Sequence, residues 1–542
     1  MATENEIPAG GSLKIFVSDD VSESGLEPLR AAGFAVEKRT GLKADELAEA
    51  LRGADGLIVR SETKVTAALL EASGRLRAVG RAGVGVDNID VAAATERGVV
   101  VMNAPDGNTM TTAEHTLALL LALARRVPQG DASLKAGRWE RKRFVGVELR
   151  GKTLGVVGLG RIGRVVASRA RGFDMRVVAF DPFVSPDQAH DSEVELAPLE
   201  EVCARADFLT VHTPMTAETR GIIGAKEFAR MKPGVRIVNC ARGGLVDERA
   251  LYDAIKEGRV AGAALDVFES EPPPADHPLL SLEEVIVTPH LGASTREAQE
   301  GVAVTVAEQM RDYFLTGALR GAVNVPATGA ETMNALRPYI TLAERLGRFQ
   351  SQLIDDPVRE VKIEYAGEVA GWDAAPVTRA FLAGLLRNMS ARVNVVNAFH
   401  IAEERGIAVT ASYKRGAAAG DLTPAIRTRV LTAAGERSAA GALFGQQSDG
   451  RVTELDGFRI EAIPAGHMVV TRSSDVPGVI GRVGTTLGTR GVNISRFHLG
   501  RLERGGEAMA VIETDAPVDD ATLEELRSFE QVISARRIEL DA

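Results

Sequence analysis

The sequence predicts an α/β protein built round a doubly wound parallel sheet, with two further α/β units behind it. Three observations lead there. Between Thr153 and Pro289 short apolar strands alternate regularly with helical stretches, the pattern of a parallel sheet covered on both faces. A glycine-rich loop, Gly158-Leu159-Gly160-Arg161-Ile162-Gly163, joins the first of those strands to its helix. The tail from His467, about 75 residues, reads strand, helix, strand, strand, helix, strand, the order of a small ferredoxin-like sandwich.

With 542 residues the chain is too long for one hydrophobic core. Its formal net charge of -10 and pI near 5.6 argue against non-specific nucleic-acid binding, which needs a basic surface. The two cysteines, Cys203 and Cys240, make neither a disulfide framework nor a Cys-based metal site, and no metal is expected. Met1 to Gly11 is polar, carries Glu4 and Glu6, and lacks the basic start and apolar core of a signal peptide. The longest apolar stretch, Thr116 to Ala124, is too short to span a bilayer. The expectation is a cytoplasmic protein with neither membrane nor nucleic acid as partner.

Taken in order, residues 13 to 105 alternate short strands and amphipathic helices. Met110 to Ala124 is a long helical run, and Thr153-Leu154-Gly155-Val156-Val157 an apolar strand. Behind it, Gly158, Gly160 and Gly163 have the G-x-G-x-x-G spacing, and Arg161 to Arg171 continues as a helix. The three glycines serve a tight turn, backbone approach to a pyrophosphate and close helix–strand packing. The anion then sits at the helix N-terminus. The next strand, Arg176-Val177-Val178-Ala179-Phe180, ends in Asp181, an acid placed to bind ribose hydroxyls and to repel a 2′-phosphate. Together these features predict a Rossmann-type site for NAD.

Ligands of open parallel sheets bind outside the carboxyl ends of the strands. Three later strands end in residues suited to hydride transfer: one runs through Asn239-Cys240 into Ala241-Arg242-Gly243-Gly244, one through Asp266 into Phe268-Glu269-Ser270-Glu271-Pro272, and one through Thr288 into Pro289-His290-Leu291-Gly292. Oxidising an alcohol needs a base for the hydroxyl proton, and His290 is the natural candidate. A carboxylate, Glu271 or Glu269, would fix its tautomer. Arg242 would grip a substrate carboxylate bidentately. In the first lobe Arg60-Ser61 ends a strand, and Arg81 stands beside a glycine-rich turn whose N–H groups suit an anion.

Glu297 to Leu315 is a further helix, and Gly321 to Pro326 reads as a boundary. Residues 327 to 466 form another α/β region with loose Gly/Ala-rich segments, among them Arg415 to Gly420.

Gly158 to Gly163, Asn239 to Gly244 and Pro289-His290-Leu291-Gly292-Ala293-Ser294-Thr295 together resemble the D-isomer-specific 2-hydroxyacid dehydrogenases, across nearly the whole chain. The resemblance narrows to long members that oxidise 3-phospho-D-glycerate to 3-phosphohydroxypyruvate at the start of L-serine synthesis. It implies His290 as acid/base, Arg242 as the substrate-orienting residue, and Glu271 over Glu269, because Glu271-Pro272-Pro273 matches a family pattern. It implies an NAD site lined by Gly158, Gly160, Arg161, Ile162, Gly163, Asp181, Thr213, Cys240, Ala241, Arg242, Asp266, His290, Gly292 and Ala293, with Arg60, Ser61, Arg81 and Asn108 on the substrate. It also implies a flavodoxin-like substrate domain split into 1–105 and 295–326 round an NAD domain of 106–294, an intervening domain of 327–466, and a homotetramer. In the same resemblance the basic cluster Arg138 to Arg143 can reach a neighbouring subunit's active site.

The unit 467–542 resembles an ACT regulatory domain, on Ser474-Asp475-Val476-Pro477-Gly478 followed by Gly491-Val492-Asn493-Ile494. There Asp475 and Asn493 are the candidate contacts for an amino-acid effector such as L-serine. Ser473 stands where serine-inhibited members often carry His or Tyr. Lys414 and Arg415 are candidate anion contacts in the intervening region. Rival readings are another 2-hydroxyacid dehydrogenase, acting on glyoxylate, hydroxypyruvate or 2-hydroxyglutarate, against which the long C-terminal half weighs, and a dinucleotide-sensing corepressor, against which the ACT-like tail and the phosphate arginines weigh.

Overall fold

The computed structural model describes residues 13–185, 187, 193–390, 392–414, 425–445 and 448–540. The first ten residues, Arg415 and the rest of the stretch to Gly420 lie outside them.

The first sheet holds β1 (Lys14–Val17), β2 (Ala35–Lys38), β3 (Gly56–Val59), β4 (Ala78–Arg81) and β5 (Val100–Asn103). All its pairings are parallel, in the order β2-β1-β3-β4-β5 of flavodoxin-like folds. Its strands are short and almost wholly apolar because both faces are covered. Leu47, Leu51, Leu69 and Leu70 pack on one face. Val302, Val306, Met310 and Phe314 of helix Arg296–Thr316 pack on the other, far from the first lobe in sequence. The stretch expected to be a boundary is bonded along the free edge of β5. Val323 N donates to Val101 O (2.9 Å), and Asn324 accepts from Val101 N and donates to Val99 O (both 2.9 Å).

The second sheet holds seven parallel strands: β6 (Thr153–Val157), β7 (Arg176–Phe180), β8 (Glu195–Leu196), β9 (Phe208–Val211), β10 (Val235–Asn239), β11 (Val260–Leu265) and β12 (Val285–Val287). Their order, β12-β11-β10-β9-β6-β7-β8, reverses direction between β6 and β9. That switch point opens a crevice at the carboxyl ends of the strands, where the glycine loop lies. Helix Thr109–Arg125 buries Leu117, Leu120 and Leu123 in the same core as Leu154, Val156 and Val238.

The third sheet orders β13 (Val358–Ala366), β14 (Ala408–Lys414), β15 (Ile426–Thr432), β16 (Glu436–Phe444), β17 (Asp449–Leu455) and β18 (Phe458–Ala462) as β14-β13-β15-β16-β17-β18. The fourth joins β19 (Gly466–Ser474), β20 (Ile494–Arg501), β21 (Glu507–Thr514) and β22 (Val532–Leu540) antiparallel, as β20-β21-β19-β22. Period-two alternation splits its faces. Val469, Ile512 and Ala535 meet helices Val479–Thr489 and Asp520–Arg527. Met468, Val470, Met509, Val511, Ile538 and Leu540 instead share one core with Phe349, Tyr365 and Phe381 of the preceding unit. That unit also touches the first lobe: Asn394 Nδ2 donates to Gly98 O and Asn397 Nδ2 to Glu96 O (both 3.0 Å), and Val396 enters the first sheet's core.

Candidate active site

The glycine loop turns sharply because Gly158 adopts φ 97°, and a Cβ there would lie 2.8 Å from the His212 carbonyl. A Cβ on Gly163 would collide with the Gly158 carbonyl oxygen, so only glycine lets helix Arg161–Arg171 start this close to β6. Beside Gly160 a Cβ would meet nothing within 4 Å. No side chain caps this helix, so its first N–H groups face that open space. Asp181 Oδ2 accepts from Leu159 N (2.8 Å) and Oδ1 from Phe183 N (2.9 Å), which ties the acid to the loop. Arg161 pairs with Asp106 (2.7 Å), and Ile162 packs against the sheet's core. Thr213 Oγ1 and His212 Nδ1 are buried without a partner. Burial pushes the His212 pKa down to about 4. An anion-ready helix start, an open cradle, a carboxylate and an orphaned hydroxyl fit a dinucleotide.

At the ends of β11 and β12, His290 Nδ1 lies 2.7 Å from Glu271 Oε2, and both side chains are partly exposed. Glu271 Oε1 accepts from Phe268 N (3.1 Å). Burial alone would raise the Glu271 pKa, but His290 and that N–H outweigh it and hold the carboxyl below its usual range. A largely apolar cavity of about 370 Å³, lined in part by Phe268, Pro272, Leu280 and Val287, opens beside the pair. Asp266 is buried, and its carboxylate accepts from Leu291 N (2.7 Å) and Gly292 N (2.8 Å). Gly292 O accepts from Thr112 Oγ1 (3.0 Å), and Ala293 follows half-buried. Cys240 is buried, and burial pushes its thiol up to about 12, so it stays neutral. Ala241 N donates to Asn239 Oδ1 (3.0 Å). A Cβ on Gly243 would collide with the Phe268 backbone, so the loops bearing Arg242 and Glu271 touch only because residue 243 is glycine.

Arg242 reaches from the second sheet to the first lobe, where its Nε meets Asp87 Oδ2 at 3.1 Å. Arg81 is near it. Burial lowers the Arg81 pKa to about 10, and the charges of Arg242 and Arg60 add to that. Arg81 Nε is buried without a partner. The Arg60 backbone is pinned by Asp19 Oδ2 (2.6 Å) and Asn88 Nδ2 (2.8 Å), while its guanidinium reaches the Asp20 carbonyl (3.3 Å). Among the described residues neither Arg60 nor Arg81 forms an ion pair. Asp87 is paired to Arg242 alone, and the Asp19 carboxylate to the Arg60 backbone, so two of the three guanidiniums are left for an anion. Asn108 precedes helix Thr109–Arg125, and its Oδ1 is buried without a partner among the described residues; Ser61 is exposed.

The remaining predicted contacts that lie among the described residues are engaged within the protein. Asp475 Oδ2 accepts from Arg501 (3.1 Å) and Gly505 N (3.0 Å), Asn493 donates to Asp515 (2.6 Å), and Lys414 pairs with Glu364 (2.9 Å). Arg143 of the basic cluster pairs with Glu283 (2.5 Å), and Trp139 is 76% exposed. Sequence reasoning gave no role to His115 and Thr288, which bind Asp266, or to Glu248 and His277, which hold the Phe268–Glu269 segment. No spacing links His115 to Asp266, so nothing local pointed to it.

Three family models match the chain: the NAD binding domain of D-isomer specific 2-hydroxyacid dehydrogenases over residues 117–292, the D-3-phosphoglycerate dehydrogenase intervening domain over 335–456, and the ACT domain over 467–531. A D-3-phosphoglycerate dehydrogenase of Archaeoglobus fulgidus is 43% identical, covering 97% of this chain and 100% of its own. One from Bacillus subtilis is 43% identical over 97% of this chain and 99% of its own. Among solved structures, a glyoxylate reductase from Paecilomyes thermophila is 30% identical with a TM-score of 0.54, covering 58% of this chain and 99% of its own.

Proposed function

The chain belongs to the D-3-phosphoglycerate dehydrogenases of the D-isomer-specific 2-hydroxyacid dehydrogenase family, and from that premise we propose that it oxidises 3-phospho-D-glycerate to 3-phosphohydroxypyruvate with NAD, the first step of L-serine synthesis. The observation that carries the substrate is that Arg81, its Nε buried and unpartnered, feels the charges of Arg60 and Arg242, while the Arg242 loop touches the loop that bears Glu271.

Bound NAD supplies the hydride acceptor. His290 takes the hydroxyl proton at Nε2, since Nδ1 faces Glu271. The Glu271 carboxylate fixes that tautomer and stabilises the imidazolium as it forms. Arg242 holds the substrate carboxylate, and Arg60 and Arg81 hold the phosphate, with Asn108 beside them. Gly158, Gly160, Gly163, Asp181 and Thr213 hold the dinucleotide. On this reading the chain divides into 1–105 with 295–326, 106–294, 327–466 and 467–542. The packing of helix Arg296–Thr316 on the first sheet supports it. The protein acts in the cytoplasm as a homotetramer. Exposed Met110, Val127, Leu134, Trp139 and Val145 support an interface on the segment after residue 109. An amino-acid effector at the ACT unit must displace Arg501 from Asp475.

The test is NADH production with 3-phosphoglycerate, glycerate, lactate and 2-hydroxyglutarate, on the protein and on Arg60→Ala and Arg81→Ala variants. 3-Phosphoglycerate should be preferred, and both variants should raise its KM more than that of glycerate. Equal effects on the two substrates refute the phosphate assignment.

A further inference from the structure

We infer that His115 and His277 are positioning residues, each holding a carboxylate that fixes one of the two backbone segments carrying the His290–Glu271 pair. The catalytic pair is then the middle one of three histidine–carboxylate pairs at this end of the sheet.

His115 projects from helix Thr109–Arg125, and its Nε2 lies 3.2 Å from Asp266 Oδ1 and 3.3 Å from Thr288 Oγ1. Thr288 Oγ1 donates to the same carboxylate oxygen (2.5 Å). Burial would push this carboxyl up, but His115, Thr288 and Leu291 N outweigh it and keep it ionised. An ionised carboxylate only accepts, so His115 carries its hydrogen on Nε2. Leu291 and Gly292, whose N–H groups Asp266 binds, directly follow His290. His290 itself has φ 54°, a conformation a non-glycine residue keeps only when its surroundings impose it.

His277 acts on the other segment. Its Nε2 lies 2.9 Å from Glu248 Oε2, and Glu248 Oε1 accepts from Glu269 N (2.6 Å). Its ring packs edge-on against Phe268 with centroids 5.7 Å apart. Phe268 N in turn donates to Glu271 Oε1. Glu248 and His277 thus bracket the turn that delivers Glu271. The 2.7 Å contact between Glu271 and His290 depends on both segments, and small displacements of reacting groups cost large factors in rate.

The inference rests on His290 being the acid/base, which the rates of the unaltered protein and of His290→Ala test separately. Its own test compares Gln, Asn and Leu at each position in the full chain, by steady-state kinetics with 3-phosphoglycerate and NAD alongside thermal unfolding. A Gln amide puts an N–H near the lost Nε2, whereas Asn stops near Nδ1. Gln should retain most of kcat. Asn and Leu should lower kcat about tenfold or more, with KM for 3-phosphoglycerate unchanged. Equal kcat for Gln and Asn, or a loss carried by that KM, overturns the inference. The Gln/Asn comparison stands even where Leu fails to fold.

Discussion

His290 lies in the left-handed region at φ 54°, which costs a non-glycine residue about 1–2 kcal/mol. Its own N–H to Asp266 O (2.9 Å) and the two following N–H groups to the Asp266 carboxylate offset that cost. His290→Ala should therefore leave the fold and NAD binding intact while kcat falls ~10²–10⁴; steady-state rates beside NAD titration check it. His212 makes a second prediction. Its folded pKa, about 4, lies below the ordinary imidazole value of about 6.5 because burial disfavours the cation. Between those values the unfolded chain binds a proton that the native one does not, so stability is full above the window and falls as pH drops through it. Unfolding temperatures at pH 7.5 and 5 should show the loss, with a shallower one in His212→Gln. At this scale the sequence named Arg242, Glu271 and His290 from the chemistry of strand ends. Composition did not choose between Glu271 and Glu269. In the structure Glu269 points to Arg220 (3.1 Å) and Glu271 to His290, a difference set by the loop's path.

The strand–loop–helix unit at β6 was legible because everything it needs is local: three glycines, an apolar strand and an acid at the end of the next. Its tightest point is Gly163, against the Gly158 carbonyl. Overpacking of this kind costs about 1–3 kcal/mol. Gly163→Ala should thus weaken NAD binding about ten- to a hundredfold, as read by quenching of protein fluorescence. Non-local pairings were not legible. Nothing in Gly321 to Pro326 announces that Asn324 bonds both Val99 and Val101, nor in residues 296–316 that this helix completes the core of β1 to β5. These contacts span some two hundred residues of chain, and periodicity reports only which face of an element is apolar, not what covers it.

Across the whole molecule, the four sheets were countable from strand–helix order, but the seams between them were not. The face of β19, β21 and β22 bearing Val470, Val511 and Ile538 belongs to the preceding unit's core. Removing residues 467–542 would uncover that core rather than yield an unregulated enzyme. The truncated protein should unfold at lower temperature and bind a hydrophobic dye, as calorimetry and dye fluorescence would show. A second seam joins Asn394, Val396 and Asn397 to the loop before β5, whose last residue, Asn103, donates to Val84 O in the turn after Arg81. The intervening unit, and through it the tail, is therefore joined to the lobe that bears Arg60 and Arg81. On the proposed assignment, an effector that reshapes the tail would tune the grip on phosphate, and by linkage a phosphate on Arg60 and Arg81 would be felt at the far end of the chain.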